Sequence, residues 1–169
     1  MTEVAPFSHA RRALLRGSLQ SRPPMRPPWA LGEPDFLDAC TRCGDCIAAC
    51  PEHVLVRDAG RFPAFDPTLG ECVFCEACVE VCAPRALDKA EVQPAWSLKA
   101  RIASACLAMN GVICLACRDA CGEAAIRFQP AQGGAAPRLD DACCTGCGAC
   151  VGICPVSAIS LASAGLPNG

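Results

Sequence analysis

Cys40-Thr-Arg-Cys43-Gly-Asp-Cys46-Ile-Ala-Ala-Cys50-Pro51 is the stretch that decides how this chain folds. Its cysteines are spaced C-x2-C-x2-C-x3-C, and a proline follows the last of them directly. Three thiolates at such intervals can wrap one face of an iron–sulfur cubane, each on its own iron. The fourth points away toward a second cluster. Cys144-Thr-Gly-Cys147-Gly-Ala-Cys150-Val-Gly-Ile-Cys154-Pro155 repeats the spacing unchanged. Gly44, Gly146 and Gly148 let the backbone come close enough for amide hydrogens to reach sulfur. Zinc does not suit such runs, because its cysteines usually come as two separated C-x2-C pairs with four ligands per metal. A redox C-x-x-C dithiol would normally occur once.

Two more runs lie between these. Cys72-Val-Phe-Cys75-Glu-Ala-Cys78-Val-Glu-Val-Cys82 keeps the ligand spacing but delays its proline to Pro84. That proline ends a helical turn and binds no metal, so the shift is tolerable. The remaining run is irregular: Cys106 is separated from Cys114, Cys117 and Cys121 by the seven residues LAMNGVI. A loop containing Asn110-Gly111 can return Cys106 to a cluster at some entropic cost. Two alternatives stay open: Cys106 as a free thiol beside a three-iron cluster, or Cys143, the spare cysteine beside Cys144, in its place. With Cys106 as a ligand, crossed ligation assigns Cys40, Cys43, Cys46 and Cys82 to cluster 1, and Cys72, Cys75, Cys78 and Cys50 to cluster 2. Cluster 3 takes Cys106, Cys114, Cys117 and Cys154; cluster 4 takes Cys144, Cys147, Cys150 and Cys121. Sixteen of the seventeen cysteines then hold four [4Fe–4S] clusters.

The runs impose an internal repeat. Cys50 to Cys72 is 22 positions and Cys121 to Cys144 is 23, so the chain reads as two similar halves. The expected fold class is α+β: two tandem 2[4Fe–4S] ferredoxin-like units of short strands and short helices, behind a flexible basic arm. Residues 1–33 form the Pro-rich arm, 34–90 the first unit, 91–96 a linker, 97–163 the second unit and 164–169 a flexible C-terminus. Each unit is expected to carry a hairpin. The first runs from Val54–Arg57 through Asp58-Ala59-Gly60 to Arg61–Phe65; the second from Ala125–Phe128 through Gly133-Gly134 to Arg138-Leu139. Helical turns are expected within Glu76–Cys82 and Gly148–Cys154, and a strand or helix over Trp96–Ile102.

Composition supports a metal protein. Cysteine supplies 17 of 169 residues, whereas aromatic residues make up only 5%. The odd cysteine count and the chain length argue against a secreted disulfide framework. Small side chains need something to pack around, and clusters fill that role, so the metal-free chain is expected to be largely unfolded. Residues 1–33 carry five arginines against Glu3 and Glu33, a net +3; the remainder has ten basic and fifteen acidic residues, a net −5. A basic tail on an acidic body is unlike a nucleic-acid binder, whose positive charge gathers on the folded surface. Arg11 and Arg12 start a stretch resembling a twin-arginine export signal, but the proline- and arginine-rich Ser18–Pro28 offers no apolar core for translocation. No stretch is long and apolar enough to cross a membrane. A cytoplasmic location is therefore expected. His9 and His53 stand in no nucleophile motif, and neither a P-loop nor a dinucleotide fingerprint is present, so no enzyme site is expected.

The arginine pair in Ala10–Gly17, the order of the four runs and the irregular CLAMNGVICLACRDAC followed by Ala125-Ile126-Arg127-Phe128 together resemble the NapF family of ferredoxin-type proteins of periplasmic nitrate reductase systems. The resemblance implies a cytoplasmic accessory protein that acts on the precursor of the nitrate reductase catalytic subunit, assembling its cluster before export. It implies a docking role for Arg11 and Arg12. Deleting residues 1–30 is then expected to abolish that docking and leave cluster content intact. A plain electron carrier is the main alternative.

Overall fold

Each cysteine run folds into one loop followed by a single turn of helix. The structure, a computed structural model, describes residues 24–131 and 134–163. Helix α1 (Glu33–Ala39) leads into the first run, with Pro34 in its opening turn and Glu33 and Asp35 at its positive end. It buries Phe36 completely. Four-residue helices then carry the third cysteine of each run: α2 (Asp45–Ala48), α3 (Ala77–Glu80), α4 (Ala116–Asp119) and α5 (Ala149–Gly152). Cys46, Cys78, Cys117 and Cys150 are all buried on these turns. Within each half the two helices pack together, α2 on α3 and α4 on α5.

Strands β1 (Leu55–Arg57) and β2 (Pro63–Phe65) form the first hairpin, with Leu55 opposite Phe65. Its turn is tied by the Asp58 carboxylate, which accepts the amide hydrogens of Gly60 and Phe62 at 2.8 and 2.9 Å. The second half opens with β3 (Leu98–Ile102), then a short 3₁₀ turn at Ala108–Asn110. Strands β4 (Ile126–Ala131) and β5 (Gly134–Leu139) make the second hairpin, longer than its alternating pattern suggested. Residues 132 and 133, and with them half of the expected Gly133-Gly134 turn, lie outside the described residues. The chain returns as β6 (Ile159–Ser163), antiparallel to β3 with Ile102 opposite Ile159. Trp96 stands ahead of β3, so the open choice over Trp96–Ile102 resolves as a strand starting at Leu98.

The first half closes in the same way, which corrects the arm boundary at residue 33. Ala30 bridges to Leu87 antiparallel, as β3 pairs with β6. Pro27 and Pro28 are fully buried and Trp29 is 4% exposed. The Arg26 guanidinium lies 4.9 Å from the Phe36 ring centroid and 5.5 Å from that of Phe62. It donates to Glu33 at 2.8 and 2.9 Å and to Asp58 at 2.9 Å. Residues 24–33 therefore belong to the folded body, tied in by the Ala30–Leu87 bridge, the buried Pro27, Pro28 and Trp29, and the Arg26 ion pairs. The expectation that residues 1–30 can be removed without loss of clusters falls with that boundary. Residues 1–23, including His9, Arg11 and Arg12, and the C-terminal 164–169 lie outside the described residues.

One hydrophobic core runs through both halves, joining Phe36, Val54 and Phe65 to Leu98, Ile126 and Ile159. Trp96, placed in a linker by the sequence, packs at the junction. Its ring is 4.8 Å from that of Phe65 and 5.5 Å from that of Phe74, centroid to centroid.

Candidate metal centres

The structure gathers the cysteines into four groups. Cys50, Cys72, Cys75 and Cys78 line one open cavity of about 350 Å³; Cys121, Cys144, Cys147 and Cys150 line another of about 340 Å³. Burial pushes the Cys46 thiol up to about 11, and the neighbours that add to the shift are Cys82, Cys40 and Cys43. Burial likewise raises Cys117, with Cys106 and Cys114 as its sulfur neighbours. Cys154 packs against Cys106, Ala108 and Ala158. Each group thus combines three thiols of one run with the last cysteine of its partner run. All seventeen cysteines are free thiols, and no disulfide competes for them.

The chemistry of these groups suits a bulky cluster better than a single ion. A zinc ion with bonds of about 2.3 Å holds its sulfurs about 4 Å apart. Among the described residues, no three Cys, His, Asp or Glu side chains close to that kind of grip. The thiols of two groups instead line shared apolar cavities, and the deepest thiols resist ionisation. Burial, then neighbouring thiols, pushes Cys78 and Cys150 up to about 12, and burial pushes Cys72 up to about 11. Metal-free, such groups are neutral; ligation must expel their protons.

Backbone geometry supplies the hydrogen bonds that a sulfur cage needs. In three of the runs, the residues on either side of the second cysteine are left-handed: Arg42 and Gly44, Phe74 and Glu76, Gly146 and Gly148, with φ between 53° and 95°. Consecutive left-handed kinks turn amide hydrogens into one concavity, the arrangement that favours an anionic group. From sequence, only Gly44, Gly146 and Gly148 signal these kinks. Superimposing the runs by their cysteines would have placed Arg42 and Phe74 opposite Gly146, and Glu76 opposite Gly148. The Cys106 run lacks the pattern, since Leu115 has φ −123° and its loop arrives from the 3₁₀ turn instead.

A second feature recurs in all four runs and had no glycine to announce it. The residue three beyond the last cysteine, His53, Arg85, Ala124 or Ser157, is left-handed with φ of 48–54°. Its amide donates to the carbonyl of that cysteine at 2.9–3.2 Å. The turn then aims a following amide at sulfur: Ala125 at Cys121, Ala158 at Cys154 and Leu87 at Cys82, at 3.2–3.4 Å. After Cys82 the donor is five residues on rather than four. His53 is such a turn residue.

Cys143 stands apart from the cages. Its Sγ donates to Asp140 at 3.5 Å, and that hydrogen bond raises the thiol. Cys106 is the thiol placed beside Cys117.

Sequence comparison finds iron–sulfur domains in two parts of the chain. Residues 39–87 match a 4Fe–4S dicluster domain, and residues 137–160 match a 4Fe–4S binding domain. The ferredoxin-type protein NapF of Escherichia coli K12 is 42% identical over 153 residues, covering 89% of this chain and 93% of that protein. The chain belongs to the NapF family of ferredoxin-type proteins. The NapF of Haemophilus influenzae is 38% identical over 81% of this chain and 78% of its own length. A methylamine utilization ferredoxin-type protein, MauM of Methylobacillus flagellatus, is 34% identical over 82% of this chain and 69% of its own. The family domains and the seventeen cysteines fit four [4Fe–4S] clusters. No helix among the described residues is long and apolar enough to cross a membrane.

Proposed function

We propose that this NapF-type iron–sulfur protein works in the cytoplasm as a maturation factor for the catalytic subunit of periplasmic nitrate reductase, acting on the precursor before export. The observation that carries the reading is the full-length similarity to NapF proteins, 42% identical over 89% of the chain. Cluster 1 is assigned to Cys40, Cys43, Cys46 and Cys82, and cluster 2 to Cys72, Cys75, Cys78 and Cys50. Cys106, Cys114, Cys117 and Cys154 hold cluster 3; Cys144, Cys147, Cys150 and Cys121 hold cluster 4. Bound clusters supply one-electron chemistry and a store of iron and sulfide. The chain's own part is to present four thiolates per cage, to aim amides at their sulfurs and to hold the cages in apolar surroundings. No separate substrate site is assigned, and Arg11 and Arg12 are the candidate docking residues.

The test is incubation of the loaded protein with the metal-free catalytic subunit, followed by iron and sulfide analysis of both chains. Maturation predicts that iron moves to the subunit. A subunit that becomes reduced while this chain keeps its iron would refute it. That outcome is the second reading, a general electron carrier, which is favoured by the similarity to proteins named for methylamine utilization, at 33–34% identity. The electron-carrier role and the maturation role make opposite predictions for iron.

A further inference from the structure

The two halves could have met through any of their four cages, but the contacts select two. Among the described contacts, the meeting surface consists of the chain around Cys72 on one side and the chain around Cys147 on the other. The Cys72 amide donates to the Cys147 carbonyl at 2.8 Å, so the two ligand loops are joined backbone to backbone. The Trp96 indole donates to the Thr145 carbonyl at 2.9 Å, while its ring packs on Phe65 and Phe74. Helix α5 lies against the 66–70 loop that leads into Cys72. A side chain built at Gly152 would meet the Thr68 carbonyl oxygen at 3.1 Å and that of Pro67 at 3.6 Å. The Cys40 and Cys106 runs contribute to none of these contacts.

We propose that the four cages stand in the spatial order 1–2–4–3, with cages 2 and 4 as the central pair joined by the Cys72–Cys147 bridge and cages 1 and 3 at the two ends. The sequence order 1–2–3–4 is therefore not the order in space. Each half places its own two cages together through helix contacts, α2 on α3 and α4 on α5, and the seam joins the inner member of each pair. The ends are chemically unlike. At cage 1, Arg57 donates to the carbonyls of Arg42 and Cys43, and Arg42 lies over Phe62. At cage 3, the Cys106–Cys117 segment carries no charged residue, and Met109, Val112 and Ile113 are exposed, Ile113 to 94%. The order is independent of whether maturation or electron transfer is the function.

Magnetic coupling between reduced clusters tests the order in the full chain, loaded anaerobically. Cys43→Ala with Cys114→Ala removes cages 1 and 3; Cys75→Ala with Cys147→Ala removes cages 2 and 4. The first protein should show a spin-coupled spectrum at low temperature, and the second two independent signals. An uncoupled 2–4 pair, or a coupled 1–3 pair, overturns the proposal. Should either double variant lose its remaining iron, hydrogen exchange in the otherwise unaltered protein decides. The Cys72 amide is expected to be protected in the loaded chain and to exchange at least tenfold faster in Gly152→Leu, which wedges the seam without touching a ligand. Equal exchange in the two proteins refutes the seam.

Discussion

Gly146→Ala separates two reasons why a glycine sits in a cluster loop. Gly146 has φ +77°, and a methyl added there would press on the Leu98 carbonyl oxygen and stand 2.9 Å from its carbon and 3.0 Å from the Leu98 Cβ. The left-handed conformation costs an L-residue about 1–2 kcal/mol. The clash adds about 1–3 kcal/mol, because Leu98 is backbone held in β3 by its pairing with β6 and cannot rotate away. The sum of about 2–5 kcal/mol is large against the roughly 5–15 kcal/mol that holds a domain folded. Gly44→Ala is the matched control: its φ is +94°, but the added methyl meets the end of the Arg57 side chain, with Cζ at 3.1 Å. Arg57 can swing aside by giving up its exposed hydrogen bonds to the Arg42 and Cys43 carbonyls, so the conformational cost of about 1–2 kcal/mol dominates. Gly122→Ala meets nothing within 4 Å and should change stability by less than about 0.5 kcal/mol. The assay is iron retained per chain after anaerobic purification, with the denaturant midpoint of the cluster absorbance. Gly146→Ala should lose cluster 4 and shift the midpoint furthest. If Gly146→Ala and Gly44→Ala agree within about 0.5 kcal/mol, the close approach to Leu98 has no energetic weight and the reasoning fails.

Cys106→Ala should remove or convert one cluster, lowering iron from about sixteen atoms per chain toward about twelve, while Cys143→Ser should leave iron unchanged. An equal loss in the two variants would place Cys143 in the cage. Deleting residues 1–23 should preserve the clusters of the first half, whereas deletion through residue 31 should abolish them, since it takes away Pro27, Pro28, Trp29 and the Ala30–Leu87 bridge; iron analysis of the two truncations checks this. Arg26→Lys should weaken the first half by about 2 kcal/mol, because an ammonium cannot serve Glu33 and Asp58 together as the guanidinium does; the midpoint of thermal cluster loss reads the effect. Reconstitution of the metal-free chain should release protons, and cluster binding should strengthen as pH rises from about 7 to 9. The buried thiols of Cys46, Cys72, Cys78 and Cys150, pushed up to about 11–12, hold protons that ligation must displace. Binding that is flat over that range would contradict it.

Cysteine spacing alone pointed to four clusters and to a two-half repeat, because thiols two and three residues apart have few ways to grip a cubane. The first hairpin was equally legible from Val54–Arg57 and the Asp58-Ala59-Gly60 turn. Other features depended on contacts between residues far apart in the chain. Residues 24–33 read as a tail by composition, yet they supply the strand opposite Leu87, and proline and arginine give no sign of that until Phe36 and Phe62 are in place to receive Arg26. The left-handed turns at His53, Arg85, Ala124 and Ser157 were hidden because any residue can be forced there once the preceding cysteine is held. Trp96 looked like linker until Phe65, Phe74 and the Thr145 carbonyl enclosed it. Local spacing pointed to which thiols group together, and it left the choice between Cys106 and Cys143 open. Only the tertiary structure decided which cages meet, since the Cys72–Cys147 bridge joins segments 75 residues apart and depends on how two finished halves pack.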